Sequence, residues 1–193
     1  MAQDGISEAR KRVLDVAGQL FSERGYAAVT LKDVARALGV KQAALYYHAP
    51  GGKEELFIAV TEHTLNRHRV GLTAALTDAE PRLTHQLRAA AAWMLSQPPL
   101  DLSRFLRADL PALSGDNAQR LHDLAHESLN APLEDALQQA YQRGETRRFD
   151  PRTLTVMLLA ALNAVHEMKT PDGLPLEVVA NDIIDILLDG VRR

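Results

Sequence analysis

Between Thr30 and Pro50, two short apolar-patterned stretches flank a single glycine, and this spacing limits what the chain can fold into more than any other feature. Thr30 can cap a helix, and Asp33 follows three residues later, a variant of the capping box. Val34, Ala35 and Leu38 then share one helical face, and Gly39 stops the helix in a left-handed backbone conformation. A third helix reads from about 42 to 48, where Ala49-Pro50-Gly51-Gly52 breaks it. Ala35 is small enough for the two helices to cross closely. Val34, Leu38, Val40 and Leu45 are expected to fill the space between them. Lys41, Gln42, Tyr46, Tyr47 and His48 are left facing outward. Residues 30–49 therefore read as a helix-turn-helix.

The rest of the chain is read as helical throughout. Alanine and leucine supply 59 of the 193 residues, both favour helix, and strand-type alternation is nearly absent. The expected class is all-α. A first helix spans about 7–24, with Val13, Val16, Ala17, Leu20 and Phe21 on one stripe and Gly25 after it. A fourth runs from 53 to about 76, with Leu56, Val60 and Leu65 inward. Further helices read at 82–96, 101–109, 117–143, 152–168 and 176–191, and Pro132 should interrupt the longest or begin its second half. The last two carry apolar residues on two faces. Leu176, Val179, Ile183 and Leu187 form one stripe of the final helix, and Ile184, Leu188 and Val191 another. One face can pack on its own bundle and the other needs more protein, most simply a second copy. A fully internal helix is the alternative.

Composition narrows the function classes. There is no cysteine, so disulfides, thiol nucleophiles and sulfur-based zinc sites are excluded. The longest apolar run, 154–165, carries Thr155 and Asn163 and falls short of the about 18 residues of a membrane span. The N-terminal stretch MAQDGISEARKR has no apolar export segment, so a cytoplasmic protein without membrane contact is expected. The net charge of −3 divides unevenly: residues 1–53 hold eight Lys/Arg against five Asp/Glu, a balance of +3, and residues 54–193 hold fourteen against twenty, −6. A basic head on an acidic body points to a polyanion at the head alone.

An exposed helix behind a tight turn fits the B-DNA major groove, about 12 Å wide. Gln42 and Tyr47 are the candidates for reading bases. A glutamine can bond adenine N6 and N7 together, worth about 1–3 kcal/mol of discrimination. Ala43 and Ala44 permit close approach, and an alanine methyl can touch a thymine methyl. The Lys41 ammonium can reach a phosphate.

Arg12-Val13-Leu14, Ala17, Leu20-Phe21, Gly25-Tyr26, Thr30 to Ala35, Leu38-Gly39-Val40, Leu45-Tyr46-Tyr47-His48 and Lys53-Glu54-Glu55-Leu56 stand in one register. Over about residues 10–60 this pattern resembles the N-terminal domain of TetR-type transcriptional regulators. The resemblance implies a three-helix DNA-binding head, a fourth connecting helix, a helical body that binds an inducer, and a homodimer built on the last two helices. It also implies phosphate contacts from Thr30, Lys32, Tyr46, His48 and Lys53. Two positions depart from the family pattern. Lys41 stands where the family usually has a capping Ser or Thr, and the 49–52 link is one residue longer.

Other constellations carry less. Gly51-Gly52-Lys53 lacks the strand and the Ser/Thr of a phosphate loop. His122 and His126 are four apart on one helix, but no third ligand is near in sequence, so no metal is expected. No nucleophile elbow, HExxH or kinase set is present, so the chain is not read as an enzyme, and no cofactor is expected. A ligand cavity in the body is expected to draw on Trp93, Met94, Phe105, His122, His126, Tyr141, Met157, Asn163 and His166, aromatic, sulfur-bearing or polar groups on the helices that would enclose it. The expected organisation is a DNA-binding domain at 1–52 and a helical ligand-binding and dimerisation domain at 53–193. The expected function is a repressor that binds a palindromic double-stranded operator as a homodimer, through 152–168 and 176–191, and is released by a small-molecule inducer. The alternatives are a helix-turn-helix regulator without a ligand and a helical interaction module.

Overall fold

The computed structural model describes residues 7–168 and 173–191. Residues 1–6, which open the stretch read for an export signal, lie outside it. Among the described residues ten α-helices follow one another: α1 (Glu8–Ala28), α2 (Leu31–Leu38), α3 (Gln42–Leu45), α4 (Gly52–Asp78), α5 (Leu83–Ser96), α6 (Leu102–Arg104), α7 (Gly115–Ala125), α8 (Ala131–Gln142), α9 (Pro151–Glu167) and α10 (Leu176–Asp189). The described residues contain no β-strand, as the all-α class requires. They form two compact units. The first takes the chain up to Thr64 together with Ser103–Asp123, and the second takes Leu65–Leu102 and the chain from Leu124 onward.

In the first unit, Ser7 caps α1 by accepting from the Arg10 N–H at 3.3 Å. Helical geometry breaks at Gly25, with φ 78° and ψ 166°. This is not the left-handed helical turn of an ordinary C-terminal glycine. Its ψ lies in a region essentially only glycine enters. At Gly39, by contrast, φ 70° and ψ 28° are the left-handed values expected. The Val40 N–H returns to the Ala35 carbonyl at 3.0 Å and the Gly39 N–H to Arg36 at 3.2 Å, the paired bonds of a Schellman motif. That motif carries Val40 outward. Val40 is 46% exposed and does not fill the space between helices as its apolar side chain suggested. Val34, Ala35, Leu38 and Leu45 do. Leu45, 1% exposed, is the anchor of α3, and its burial stabilises the pair by about 2 kcal/mol. The regular part of α3 is shorter than the expected 42–48. It ends at Leu45, and His48 and Ala49 both donate to the Leu45 carbonyl as the chain turns.

The second unit is built from α5, α8, α9, α10 and the later part of α4. The long helical stretch read at 117–143 is divided, as its proline required. A wide π-turn over His126–Asn130 follows α7, and Pro132 lies in the first turn of α8, where its missing N–H costs nothing. On α9, Leu154, Leu158, Leu159, Leu162 and Val165 are buried, while Val156 and Met157, and Met168 just past the helix, are exposed. On α10, Ile184 and Leu188 are buried, and Val178 and Ile186 are exposed. The other stripe read on α10, Leu176, Val179, Ile183 and Leu187, is half-buried, and the exposed Val178 and Ile186 lie outside both stripes, so each helix buries one apolar face within the chain and exposes single apolar residues elsewhere.

Where α4 passes α5 the approach is very close. A Cβ added at Gly71 would stand 2.0 Å from Trp93 Cζ2 and 2.1 Å from Cε2. Replacing a mid-helix glycine by alanine ordinarily gains about 1 kcal/mol. Here the rigid indole has to move, and overpacking of this kind costs about 1–3 kcal/mol. Gly71→Ala is therefore expected to destabilise the protein in urea titrations. The double variant Gly71→Ala, Trp93→Ala should show strong non-additivity. Simple additivity would mean the two residues do not meet.

Candidate nucleic-acid interface

The candidate surface is assembled by local rules. Thr30 and Asp33 form a complete reciprocal cap: the Asp33 N–H donates to Thr30 Oγ1 at 3.2 Å, and the Thr30 N–H donates to Asp33 Oδ2 at 3.0 Å. The Thr30 hydroxyl also donates to the Asp33 carboxylate at 2.5 Å. These bonds, the hydroxyl's first, hold the Asp33 carboxyl below its usual range. Thr30 thus fixes the start of α2 through the same hydroxyl that was read as a phosphate contact. Lys32 lies exposed on that first turn.

Around α3 the outward set is presented as its sequence implies. Lys41, Gln42, Ala43, Ala44, Tyr46 and Tyr47 are all exposed, and Tyr47 is 86% exposed. His48 is half-buried, its ring edge-on to Tyr47 at 5.2 Å. Lys41 occupies the cap position of α3 and makes no side-chain cap bond. Its ammonium projects from a ridge with no carboxylate among Lys41–His48.

Lys53 is placed differently. It is half-buried, and its Nζ donates to the Tyr26 carbonyl at 2.9 Å while lying 4.2 Å from the Tyr26 ring centre. Its first role is therefore to tie the start of α4 to the end of α1. Phe57 packs against both Phe21 and Tyr26, with ring centres 5.0 and 4.9 Å apart.

Residues far away in sequence complete this joint, and nothing in the local pattern identified them. Arg104 donates to the carbonyls of Phe21 and Ser22 at 3.1 and 2.5 Å. The buried Asp109 accepts from the Tyr26 N–H at 2.8 Å and lies 3.5 Å from the Arg104 guanidinium. Glu54 in turn accepts from the Ser114 N–H and hydroxyl and from Asn117, at 3.1, 2.8 and 3.0 Å. These bonds, the Asn117 one foremost, lower the Glu54 carboxyl from its usual range. The segment 103–123 thus grips both ends of the α1–α4 joint beneath the helix-turn-helix.

The residues read as a ligand cavity divide between the units. Phe105 and His122 fall in the first, and Trp93, Met94, His126, Tyr141, Met157, Asn163 and His166 in the second. Phe105 and Met94 are buried, and Trp93, Tyr141, Asn163 and His166 are half-buried. His166 Nε2 lies 3.2 Å from the Met94 carbonyl. His122, His126 and Met157 are exposed, the two histidines beside Asp123 and Glu134 respectively. Among the described residues, no three His, Asp or Glu side chains gather to hold a metal, and no helix is long and apolar enough to cross a membrane.

Two family profiles match the chain. One, described as bacterial regulatory proteins of the tetR family, matches residues 13–60, and the other, a tetracyclin repressor-like C-terminal domain, matches 76–191. The chain is 39% identical over 57 residues to the biofilm operon icaADBC HTH-type negative transcriptional regulator IcaR of Staphylococcus epidermidis. That stretch spans 30% of this chain and 30% of the relative. It is 27% identical over 199 residues to the HTH-type transcriptional repressor Rv1474c of Mycobacterium tuberculosis, covering 100% of this chain and 98% of that one. Among solved structures, AibR in complex with isovaleryl coenzyme A and operator DNA shares the fold, with a TM-score of 0.76, 23% identity, and coverage of 94% and 98%.

Proposed function

The chain belongs to the tetR family of bacterial regulatory proteins, and on that premise we propose that it is a sequence-specific DNA-binding repressor, released from a palindromic operator by a small-molecule effector. The observation that carries this reading is the outward ridge Lys41–Tyr47, held by the Gly39 turn and the buried Leu45, basic at one end and aromatic at the other. Residues 1–52 act as the DNA-binding domain and 53–193 as the ligand-binding and dimerisation domain. It acts in the cytoplasm as a regulator and not as an enzyme. The relatives named as transcriptional repressors support this, as does AibR with its acyl-coenzyme A and operator.

Lys32 and Lys41 supply charge to phosphates, and Thr30, Tyr46, His48 and Lys53 supply hydrogen bonds to them. Gln42 and Tyr47 read base edges, and Ala43 allows the backbone to come close. Two heads reach successive major grooves when their spacing matches one helical turn, about 34–36 Å, or a multiple of it. The uncovered apolar residues of α9 and α10 support dimerisation through about 152–168 and 176–191, which would set that spacing. An effector that favours another spacing by about 1–3 kcal/mol changes occupancy 5–150-fold.

Selection from random duplexes with the purified protein should return a two-fold symmetric consensus. On that sequence, Lys41→Ala should weaken binding evenly across sites and reduce the slope of log K against log salt by about one. Gln42→Ala should cost about 1–3 kcal/mol at a single base pair and relax specificity there. Failure to enrich any sequence, or binding indifferent to salt, would overturn the reading.

A further inference from the structure

Among the polar atoms of the second unit that are buried and bond to nothing among the described residues, both ring nitrogens of His68, Nε of Arg67 and Nε1 of Trp93 stand out; Arg88 Nε and the hydroxyls of Ser128, Thr146 and Thr155 are the others. His68 is 1% exposed. Such groups are normally satisfied, because an unpaired buried donor or acceptor loses its bonds to water and regains nothing. These three are also neighbours. Arg67 and His68 lie four and three residues before Gly71 on α4, so all three share one helical face. The Trp93 indole lies directly on that face, where a Gly71 Cβ would stand. His166 reaches the same place from α9. It bonds the carbonyl of Met94, next to Trp93, and its charge acts on His68.

The chemistry of the set is specific. Burial first, then Arg67 and His166, lowers the His68 pKa to about 4, so at neutral pH its ring is uncharged. The positive charge here is Arg67's. No carboxylate pairs with Arg67 among the described residues, although most arginines that bury a nitrogen find one. Two N–H donors beside the half-buried Arg67, whose Nε is buried without a partner, ask for an anionic acceptor, and a guanidinium receives a carboxylate more tightly than a neutral oxygen. Leu65 and Leu72 of α4 and Leu158 and Leu162 of α9 are fully buried, so the core of this unit around the polar set is apolar.

We propose that the second unit binds a small organic acid with an apolar body, its carboxylate received between α4 and α5 by Arg67 and Trp93, with His68 completing the hydrogen bonds. This rests on the effector reading above and names the chemical class of the effector. Arg67 provides the charge, Trp93 Nε1–H fixes the orientation of the oxygen, and Gly71 lets the indole lie close enough to do so.

The test is calorimetry on the full-length protein with straight-chain carboxylates from butanoate to dodecanoate, each compared with its methyl ester. At least one carboxylate is expected to bind at least tenfold more tightly than its ester. Arg67→Met should abolish that preference, and Trp93→Phe should weaken the carboxylate about tenfold and the ester by less. The carboxylate-to-ester comparison on the wild type needs no variant to fold. Esters binding as tightly as acids, or a preference that survives Arg67→Met, would overturn the proposal. If no member of the series binds but another metabolite releases the protein from its selected operator, the acid is wrong and the effector reading stands. If no compound from a broad metabolite set releases it, both fall.

Discussion

Asp109→Ala is expected to lower the stability of the first unit by about 3–5 kcal/mol, the usual cost of removing one partner from a buried, hydrogen-bonded ion pair. The carboxylate is 6% exposed, accepts from the Tyr26 N–H and faces Arg104. Its loss strands a backbone donor just after Gly25 and removes the buried carboxylate from beside Arg104. The backbone at Gly25 needs that support, because its conformation is one other residues avoid, and a Cβ there would crowd Arg104 and Asp109 at 3.2–3.3 Å. Urea titration followed by circular dichroism measures the loss. Operator affinity should fall with it, because the Arg104–Asp109 pair secures the end of α1 on which the joint to α4 is built. Asp109→Asn retains an acceptor for Tyr26 and should lose less. Equal stability of wild type and Asp109→Ala would show that the pair does not hold α1.

The second large effect is a dependence on pH traceable to His68. In the folded chain its pKa lies near 4, and in the unfolded chain near 6.5. Above pH 6.5 the ring is neutral in both states and contributes no slope. Between 6.5 and 4 the unfolded chain takes up a proton that the folded chain refuses, so stability falls as pH falls. Below 4 both states are protonated, and the loss levels off at about 3 kcal/mol. Other groups titrate in this range, so the informative quantity is the difference between wild type and His68→Leu. That difference should open from pH 6.5 downward and close above it. Parallel curves for the two proteins would mean that His68 is solvated. A carboxylate bound at Arg67 should lessen the effect, because a buried anion beside His68 favours its charged form.

These two predictions sit at opposite ends of what local pattern can reach. The helix-turn-helix was legible because every signal for it lies within one or two turns. Thr30 and Asp33 cap each other, Gly39 permits a left-handed turn, and the apolar spacing of Val34, Ala35, Leu38 and Leu45 fixes which face is covered. Pro132 marked the start of α8 for the same reason, since a missing N–H acts on its own helix. The buried stripe read on the final helix, Ile184, Leu188 and Val191, was likewise legible, whereas the exposed Val178 and Ile186 belong to neither stripe read there. Two local signals misled. Val40 looked like core because it is apolar, but the Schellman bonds turn it outward. Residues 46–48 looked like a continued helix because nothing among them forbids one.

The joint between α1 and α4 could not be read in this way. Tyr26 and Asp109 are 83 residues apart, and Glu54 and Asn117 are 63 apart. An exposed aspartate and a buried one look identical in a string of letters. Lys53 belongs to the same class: its position suited a phosphate, but that its ammonium also holds the carbonyl of Tyr26 could not be read from the sequence. So too do the orphaned nitrogens of His68, Arg67 and Trp93, which became visible only once the indole lay on Gly71. The amino-acid order determined helices, caps and the recognition ridge, because those free energies are settled between residues three or four apart. Tertiary packing decided which polar groups were buried and with what partner, because desolvation depends on the whole surroundings of an atom and not on its neighbours along the chain.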